Sequence, residues 1–467
     1  MEKANSRRWY ERIPHPVVML FGIIIFATLL SYVLPAGNFE REQVDGRERV
    51  VAGSYHEVEA SPVGFLDMFR ALPIGFKTAS DIIFVVLASG IMFGILEESR
   101  MIENAVGRLI YRLGVERKYL IVVVMTFIFG MLGVVVGYEN NIAMVPIAAV
   151  LSLALGGDLM LAAGISVGAI TVGFGLSPIN PYTVGTGHTI AELPLFSGAW
   201  LRSILCFGAL AMLAWFNVRY FKKIIADPNR SLGQGLNEEG LKLSQPLESY
   251  GLTNRHWWML VIFMGGLGVM LYGIFQYKWF FHEIAAIFVI ISILCGLVAG
   301  MNGRVLSETA LNAIGKVAPG AFMVGYATTI KVILEMGNVS DTIANGLVEM
   351  LAVLPTYASA VAMSASQSII NFMIPSGSGQ ALATLPIMIP TGELLGLTRQ
   401  TTILAFQIGD GVTNLVNPTL GGLIAMLSMC RVPFDRWLRF VFPLVGGIIL
   451  ISWIVLLLSV AIGYGPG

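Results

Sequence analysis

Two acidic residues and a set of amides and hydroxyls stand where the surrounding chain is apolar. Glu139, Asn140 and Asn141 interrupt VVVGYENNIAMVP (134–146). Asp410 interrupts LAFQIGDGVTNLVNPT (404–419), which also carries Thr413, Asn414 and Asn417. Asn180 and Thr183 follow Ser177 in SPINPYTVG (177–185), and Ser376, Ser378 and Gln380 fall in IPSGSGQ (374–380). Ionisable groups at membrane depth are costly and mark solute or ion pathways. The chemistry suggested is recognition rather than covalent catalysis. A carboxylate binds a cationic solute group, a proton or Na⁺, and the amides and hydroxyls add neutral ligands. Na⁺ is expected near Asn141, Ser177, Asn180, Thr413 and Asn417. Lys331 would be a fixed cation for a solute carboxylate, or a substitute for a coupling ion. Each group also has a plainer role open to it. Glu139 and Asp410 could satisfy a helix end or a buried amide, and Lys331 precedes Glu335 by one turn and could snorkel.

The composition demands a membrane. Of 467 residues, 56% are hydrophobic and 12% charged, against roughly a quarter charged in ordinary soluble sequence. Several apolar runs reach the roughly 20 residues that a crossing helix needs, and the short alternating segments of a β-barrel are absent. The expected fold is an all-α polytopic membrane protein. Formal net charge is zero, which gives no reason to expect a nucleic-acid partner. No Gly-rich Lys-Ser/Thr loop suggests ATP hydrolysis by this chain. The five histidines form no metal-ligand spacing, and Cys206, Cys295 and Cys430 stand singly as packing residues. No catalytic residue, metal centre or cofactor is therefore expected. An intramembrane metalloenzyme would need clustered His and Asp ligands. A channel would need a continuous pore.

About nine crossings are expected, near 14–35, 79–98, 160–186, 200–221, 256–276, 283–301, 316–335, 398–430 and 438–461. Two further apolar pairs, 119–155 and 355–395, are each split by a polar or Gly/Pro-rich tip, GYENN and NFMIPSGSGQ. Each reads as a re-entrant hairpin. The stretches 173–187 and 409–422 combine Pro178, Pro181 and Pro418 with glycines inside apolar context. They read as broken helices facing the tips, because irregular backbone at depth is tolerated only against protein or a watery cavity.

Charge placement orients the chain. With the N-terminus cytoplasmic, the segments 1–13, 99–118, 219–255, 302–316 and 431–439 hold 20 of the 29 Lys and Arg residues, in keeping with the positive-inside rule. The C-terminus is then external. The organisation also repeats. Asn180-Pro181 precedes Trp200 in AWLR as Asn417-Pro418 precedes Trp437 in RWLR, an offset of 237 residues, and Pro146 matches Pro386 at 240. Five crossings separate equivalent segments, so the halves are expected to be inverted, with the site near the midplane at their interface. The expected divisions are a first helix and external loop (1–78), a first repeat (79–221; hairpin 119–155, broken helix 160–186) and a solvated cytoplasmic linker (222–255). Scaffold helices (256–301) and a second repeat (316–461; hairpin 355–395, broken helix 398–430) follow.

The phrases VLPAGNF, SPINPYTVG, IPSGSGQALATLPIMIP, LAFQIGDGVTNLVNPT and VPFDRWLRF resemble the YfcC branch of the DcuC-like anaerobic carrier family, within the ion transporter superfamily. The resemblance covers nearly the whole chain. It implies a bacterial inner-membrane secondary transporter, commonly a homodimer, with a scaffold domain and a mobile domain that moves like an elevator. The family name points to C4-dicarboxylates, whereas this branch is labelled as basic amino acid antiporters. Dicarboxylate carriers of the superfamily use Ser-Asn-Thr tips, while this chain has Glu139-Asn140-Asn141 at one tip and Ser376-Gly377-Ser378 at the other. A carboxylate at the tip favours a cationic amino acid or a small peptide over a dianion. The expected function is an antiporter or ion-coupled carrier of amino-acid-like solutes, driven by Na⁺ or H⁺ coupling or by exchange. A carboxylate carrier is the alternative.

Overall fold

The computed structural model describes residues 16–44, 47–51, 53–241, 245, 247–277, 279, 281–351 and 354–465. The basic segment 1–13 lies outside them. Helix α1 (Pro16–Val33) leads into two short antiparallel pairs, β1 (Gly37–Asn38) with β4 (His56–Glu57) and β2 (Arg41–Val44) with β3 (Arg47–Val50). Helices α2 (Phe65–Thr78), α3 (Ser80–Glu98) and α4 (Met101–Leu113) follow. The region expected to be an external loop therefore contains a 14-residue helix, α2. Its apolar face is held against a long later helix, α13 (Gly303–Met336), by close approach of Gly75 to Thr329.

The first hairpin comprises α5 (Lys118–Val136), a 3₁₀ turn at Glu139–Met144 and α6 (Val145–Ala154). Gly137, at φ 110°, ends α5, and Pro146 stands in the first turn of α6, where its missing N–H costs nothing. The first broken helix is built from α7 (Leu159–Ala163), a wide turn at Gly164–Gly168, and α8 (Ala169–Gly175). After the break comes a second wide turn at Pro181–Gly185 and α9 (Thr186–Ile190). It runs a few residues beyond the expected 160–186. Then come α10 (Ala199–Ala226), α11 (Asn254–Tyr277), α12 (Phe281–Ala299), α13 and α14 (Ser340–Leu351). The second hairpin is α15 (Thr356–Met373) with α16 (Gly377–Leu394), and the second broken helix is α17 (Arg399–Thr413) with α18 (Gly421–Met429). Helix α19 (Phe434–Ala461) ends the chain's helical part. The order helix, arm, hairpin, broken helix, helix thus occurs twice, from α3 to α10 and from α13 to α19.

Among the described residues, five helices (α3, α10, α12, α13 and α19) are long and apolar enough to cross a membrane on their own. Much of the remaining apolar length is divided among shorter pieces, including Lys118–Val134, Asn141–Ala154 and Leu159–Gly175. Those pieces are the hairpin arms and half-helices. The segment 302–316, expected on the cytoplasmic side, is the first part of α13 and starts on Asn302, whose side chain accepts from Val305 N.

The helices pack in two groups. In one, α3 lies on α12 and α13, α13 on α1 and α2, and α11 on α12. In the other, α5 lies on α8 and α10, α15 on α17 and α19, α16 on α9 and α17, and α8 on α17. The groups meet where α18 packs on α13, α4 on α6, α14 on α15 and the first hairpin's tip on α3. The linker is docked rather than simply solvated. Leu241 and Tyr250 are buried, and Asp158, the N-cap of α7, accepts from Tyr220 Oη (2.6 Å) and Ser231 Oγ (2.5 Å). Cys206, Cys295 and Cys430 are buried and unpaired.

Candidate substrate site

The two breaks cross at glycine. A Cβ on Gly175, which ends α8, would lie 2.6 Å from Gly411 Cα. Only residues without side chains allow α8 and α17 to come this close. One residue away, Asp410 is brought beside the second hairpin and the first break. A Cβ on Gly377 would overlap Thr183 Cγ2 and lie 3.4 Å from Asp410 Oδ2. Asp410, Thr183 and the tip of the second hairpin therefore share one small volume.

Its polar atoms are incompletely matched. Among the described residues, both carboxylate oxygens of Asp410 and Thr183 Oγ1 are buried with no hydrogen-bond partner, and so are Gln380 Oε1 and Asn371 Oδ1. Gln367 Nε2 is a buried donor in the same condition. Gln380 Nε2 donates to the Gln367 carbonyl (2.9 Å) and to its side-chain oxygen (2.6 Å), which ties the two arms of the second hairpin together. A buried carboxylate without a partner costs several kcal/mol, and a cation is the partner that would offset that cost.

The other residues of the breaks serve the backbone. Asn371 Nδ2 donates to the Asp410 carbonyl, to Thr413 Oγ1 and to Asn414 Oδ1, at 2.9, 2.9 and 2.8 Å. Asn417 Nδ2 donates to the Asn371 carbonyl (2.8 Å), and Ser177 Oγ to the Val134 carbonyl (3.3 Å). Each of these bonds runs from a break to the end of its hairpin's first arm. Asn180 caps the helix after its break, its Oδ1 accepting from Tyr182 N and Thr183 N. Ser376 Oγ caps α16 through Gly379 N, while Ser378 is half-buried beside it. The side-chain oxygens of Ser177, Asn180, Thr413 and Asn417 all take part in such bonds.

Glu139 lies elsewhere. Its turn packs on α18, where a Cβ on Gly422 would be 3.2 Å from Glu139 Cγ. Tyr138 Oη meets Thr171 Oγ1 at 3.0 Å, and Asn141 Nδ2 donates to the Leu132 and Gly137 carbonyls within its own hairpin. The side chain of Asn140 lies outside the described residues. Each tip thus faces the half-helix that follows the other repeat's break: the first tip faces α18, and the second faces the turn 181–185 and α9. Lys331 joins neither group. It pairs with Glu335 at 3.5 Å and is part-exposed, about two turns beyond Val324, the residue of α13 that meets Gly421.

Sequence reasoning missed Gln367, Asn371, Gln407 and Arg202. Arg202 is fully buried and, among the described residues, has no carboxylate partner. It donates to Gln407 Oε1 (3.1 Å), Gln400 Oε1 (2.9 Å), Tyr464 Oη and the Ser197 carbonyl, and Gln407 Nε2 in turn donates to the Ser177 carbonyl (2.7 Å). The available signal was FQIGDG, in which Gln407 precedes Asp410 by one helical turn.

A sequence model of the family described as "C4-dicarboxylate anaerobic carrier", DcuC, matches residues 13–461. The chain belongs to the DcuC family. Within it, Escherichia coli K12 YfcC, named "Putative basic amino acid antiporter", is 29% identical over 99% of both chains. An uncharacterised Haemophilus influenzae protein is 24% identical over 98% of this chain and 99% of its own length. Two solved transporters also resemble this DcuC-family chain. Neisseria gonorrhoeae MtrF is 18% identical, with 96% and 95% of the two chains covered and a TM-score of 0.42. The Alcanivorax borkumensis YdaH transporter is 16% identical, with 97% and 100% covered and a TM-score of 0.44. Family membership and the apolar helices make the protein a multi-pass membrane transporter.

Proposed function

We propose that the protein is a secondary active transporter of cationic, amino-acid-like solutes in the bacterial inner membrane, working by exchange or by coupling to Na⁺ or H⁺. The observation that carries this reading is Asp410: a buried carboxylate with both oxygens unpartnered, between a hairpin tip and a helix break. A cationic solute group, Na⁺ or a proton would neutralise it. The first amides of α16 would hold the solute carboxylate, since helix N-termini favour anions. The name of the E. coli relative agrees with a basic amino acid. The family description favours a second reading, a C4-dicarboxylate carrier, for which an unpaired carboxylate in the site is electrostatically unfavourable.

On this reading the α5–α10 and α15–α19 group moves as a unit past the α1–α4 and α11–α14 group, in the manner of an elevator. The hairpins enter from opposite sides, the N-terminus is cytoplasmic and the protein is a homodimer. The test is a thermal-stabilisation and uptake screen of purified and reconstituted protein, with and without Na⁺ and across pH. Arginine, lysine or ornithine is expected to stabilise the protein and to exchange across vesicles. Asp410→Asn should abolish exchange at unchanged folding, and Glu139→Gln should weaken it. Stabilisation by succinate or fumarate alone would establish the second reading, and full exchange by both variants would show that neither carboxylate takes part in transport.

A further inference from the structure

A cavity of about 910 Å³ lies between α10 and α19, and Phe372 and Val416, beside the second break, also line it; Asp410, Thr183 and Gln380 do not. The main packing partners of α10 and α19 are each other, α5, α8, α15 and α17, none of which belongs to the α3–α13 group. Ile204, Phe207 and Trp215 on α10, and Phe442, Leu450 and Ile454 on α19, are exposed. This flank therefore faces hydrocarbon in a bilayer. The cavity wall is apolar along most of its length, with Phe216, Phe372, Val416, Phe440 and Phe442. At one end it is lined by Arg219, Lys223, Arg230 and Arg439, and by no carboxylate.

The charges at that end are only partly matched. Arg230 pairs with Asp227 at 3.1 Å, and Arg439 reaches Asp435 at 4.0 Å. Arg219 stacks over Trp215 at 5.4 Å, and among the described residues neither Arg219 nor Lys223 has a carboxylate within ion-pair distance. Two cations at the polar end of a lipid-facing apolar groove complement one kind of occupant, an anionic headgroup with a hydrocarbon chain. Basic pockets between membrane helices are where anionic lipid headgroups dock. We propose that the groove between α10 and α19 binds one anionic glycerophospholipid. Its phosphate lies between Arg219 and Lys223, and an acyl chain runs along Phe216, Phe372 and Phe442. The site is independent of which solute is carried.

The test uses the full-length protein, depleted of lipid in detergent. It is titrated separately with phosphatidylglycerol, with phosphatidylcholine of the same acyl chains and with inorganic phosphate, and followed by native mass spectrometry and thermal unfolding. Phosphatidylglycerol should be retained at one molecule per chain and should raise the unfolding midpoint, whereas the other two should do neither. Arg219→Gln with Lys223→Gln should bind phosphatidylglycerol roughly 30-fold more weakly, with the lipid-free midpoint unchanged. Phe442→Ser should weaken binding with both cations intact. Equal retention of phosphatidylcholine would overturn the proposal, as would equal stabilisation by phosphate or undiminished binding by the double variant. Displacement of the lipid by a transported amino acid would also overturn it, because the groove would then be a solute vestibule.

Discussion

At the scale of single residues, matching sequence phrases have taken opposite environments. AWLR and RWLR stand at matching positions of the two repeats, yet Trp437 is fully buried and donates to the Leu415 carbonyl (2.8 Å), while Trp200 is 56% exposed. The arginines are reversed. Arg202 is buried in a network that reaches the first break, whereas the Arg439 side chain is 26% exposed beside Asp435. Truncation should reflect this asymmetry. Trp437→Ala should cost about 3–5 kcal/mol through the cavity and the lost bond, and Trp200→Ala well under 1 kcal/mol. Arg202→Met, which strands the acceptors of Gln400 and Gln407, should cost about 1–3 kcal/mol, and Arg439→Met much less. Thermal unfolding in detergent measures all four. Equal effects within either pair would mean that the repeat, and not the tertiary contacts, sets the burial.

At the scale of elements, the site depends on two broken helices touching at their backbones. The half-helices need each other's glycines, since a Cβ on Gly411 would lie 2.6 Å from the backbone carbon of Gly175. Overpacking of this kind costs typically about 1–3 kcal/mol. Gly411→Ala should therefore lower the unfolding midpoint and disturb Asp410, the residue before it, so that solute binding falls more than stability alone requires. Gly446→Ala, in α19 with nothing within 4 Å of the added methyl, should be neutral or slightly stabilising. A neutral Gly411→Ala would show that the crossing is not tight enough to position the carboxylate. The helix interruptions near 137–144, 176–180, 374–376 and 414–420 fall where Gly, Pro and polar residues stand inside apolar runs, which is why the sequence marks them. Helix α2 was not legible there, because an amphipathic segment with Asp67, Arg70 and Lys77 reads as a polar loop until α13 is there to cover its apolar face.

At the scale of the whole molecule, the two helix groups meet at several places, of which α18 against α13 is the principal one. A Cβ on Gly421 would lie 3.6 Å from Val324 Cβ, within the range of about 3.5–4.5 Å that a disulfide needs. In the Val324→Cys, Gly421→Cys protein, oxidation should stop exchange in vesicles while leaving solute-induced stabilisation, and reduction should restore exchange. Unimpaired exchange at complete cross-linking would mean that these surfaces do not move relative to each other during transport.

The amino-acid sequence alone determined that the chain needs a bilayer, where its apolar runs break, and which acidic residues sit in those breaks. Each follows from local physics: hydrocarbon does not solvate charge, and proline and glycine interrupt helices wherever they stand. The tertiary structure decided which polar groups are matched and which are not. It placed Asp410 with Thr183 and the second hairpin's tip, and Glu139 against Gly422. It also satisfied Asn141 and Asn180 within their own hairpin and break, tied Asn417 to the Asn371 carbonyl and gave Lys331 to Glu335. Gln367, Asn371 and Arg202 carry no local mark, because a polar side chain on a helix reads the same whether it faces water or a distant carbonyl. Only the packing of the hairpins, broken helices and α10 on one another distinguishes the two.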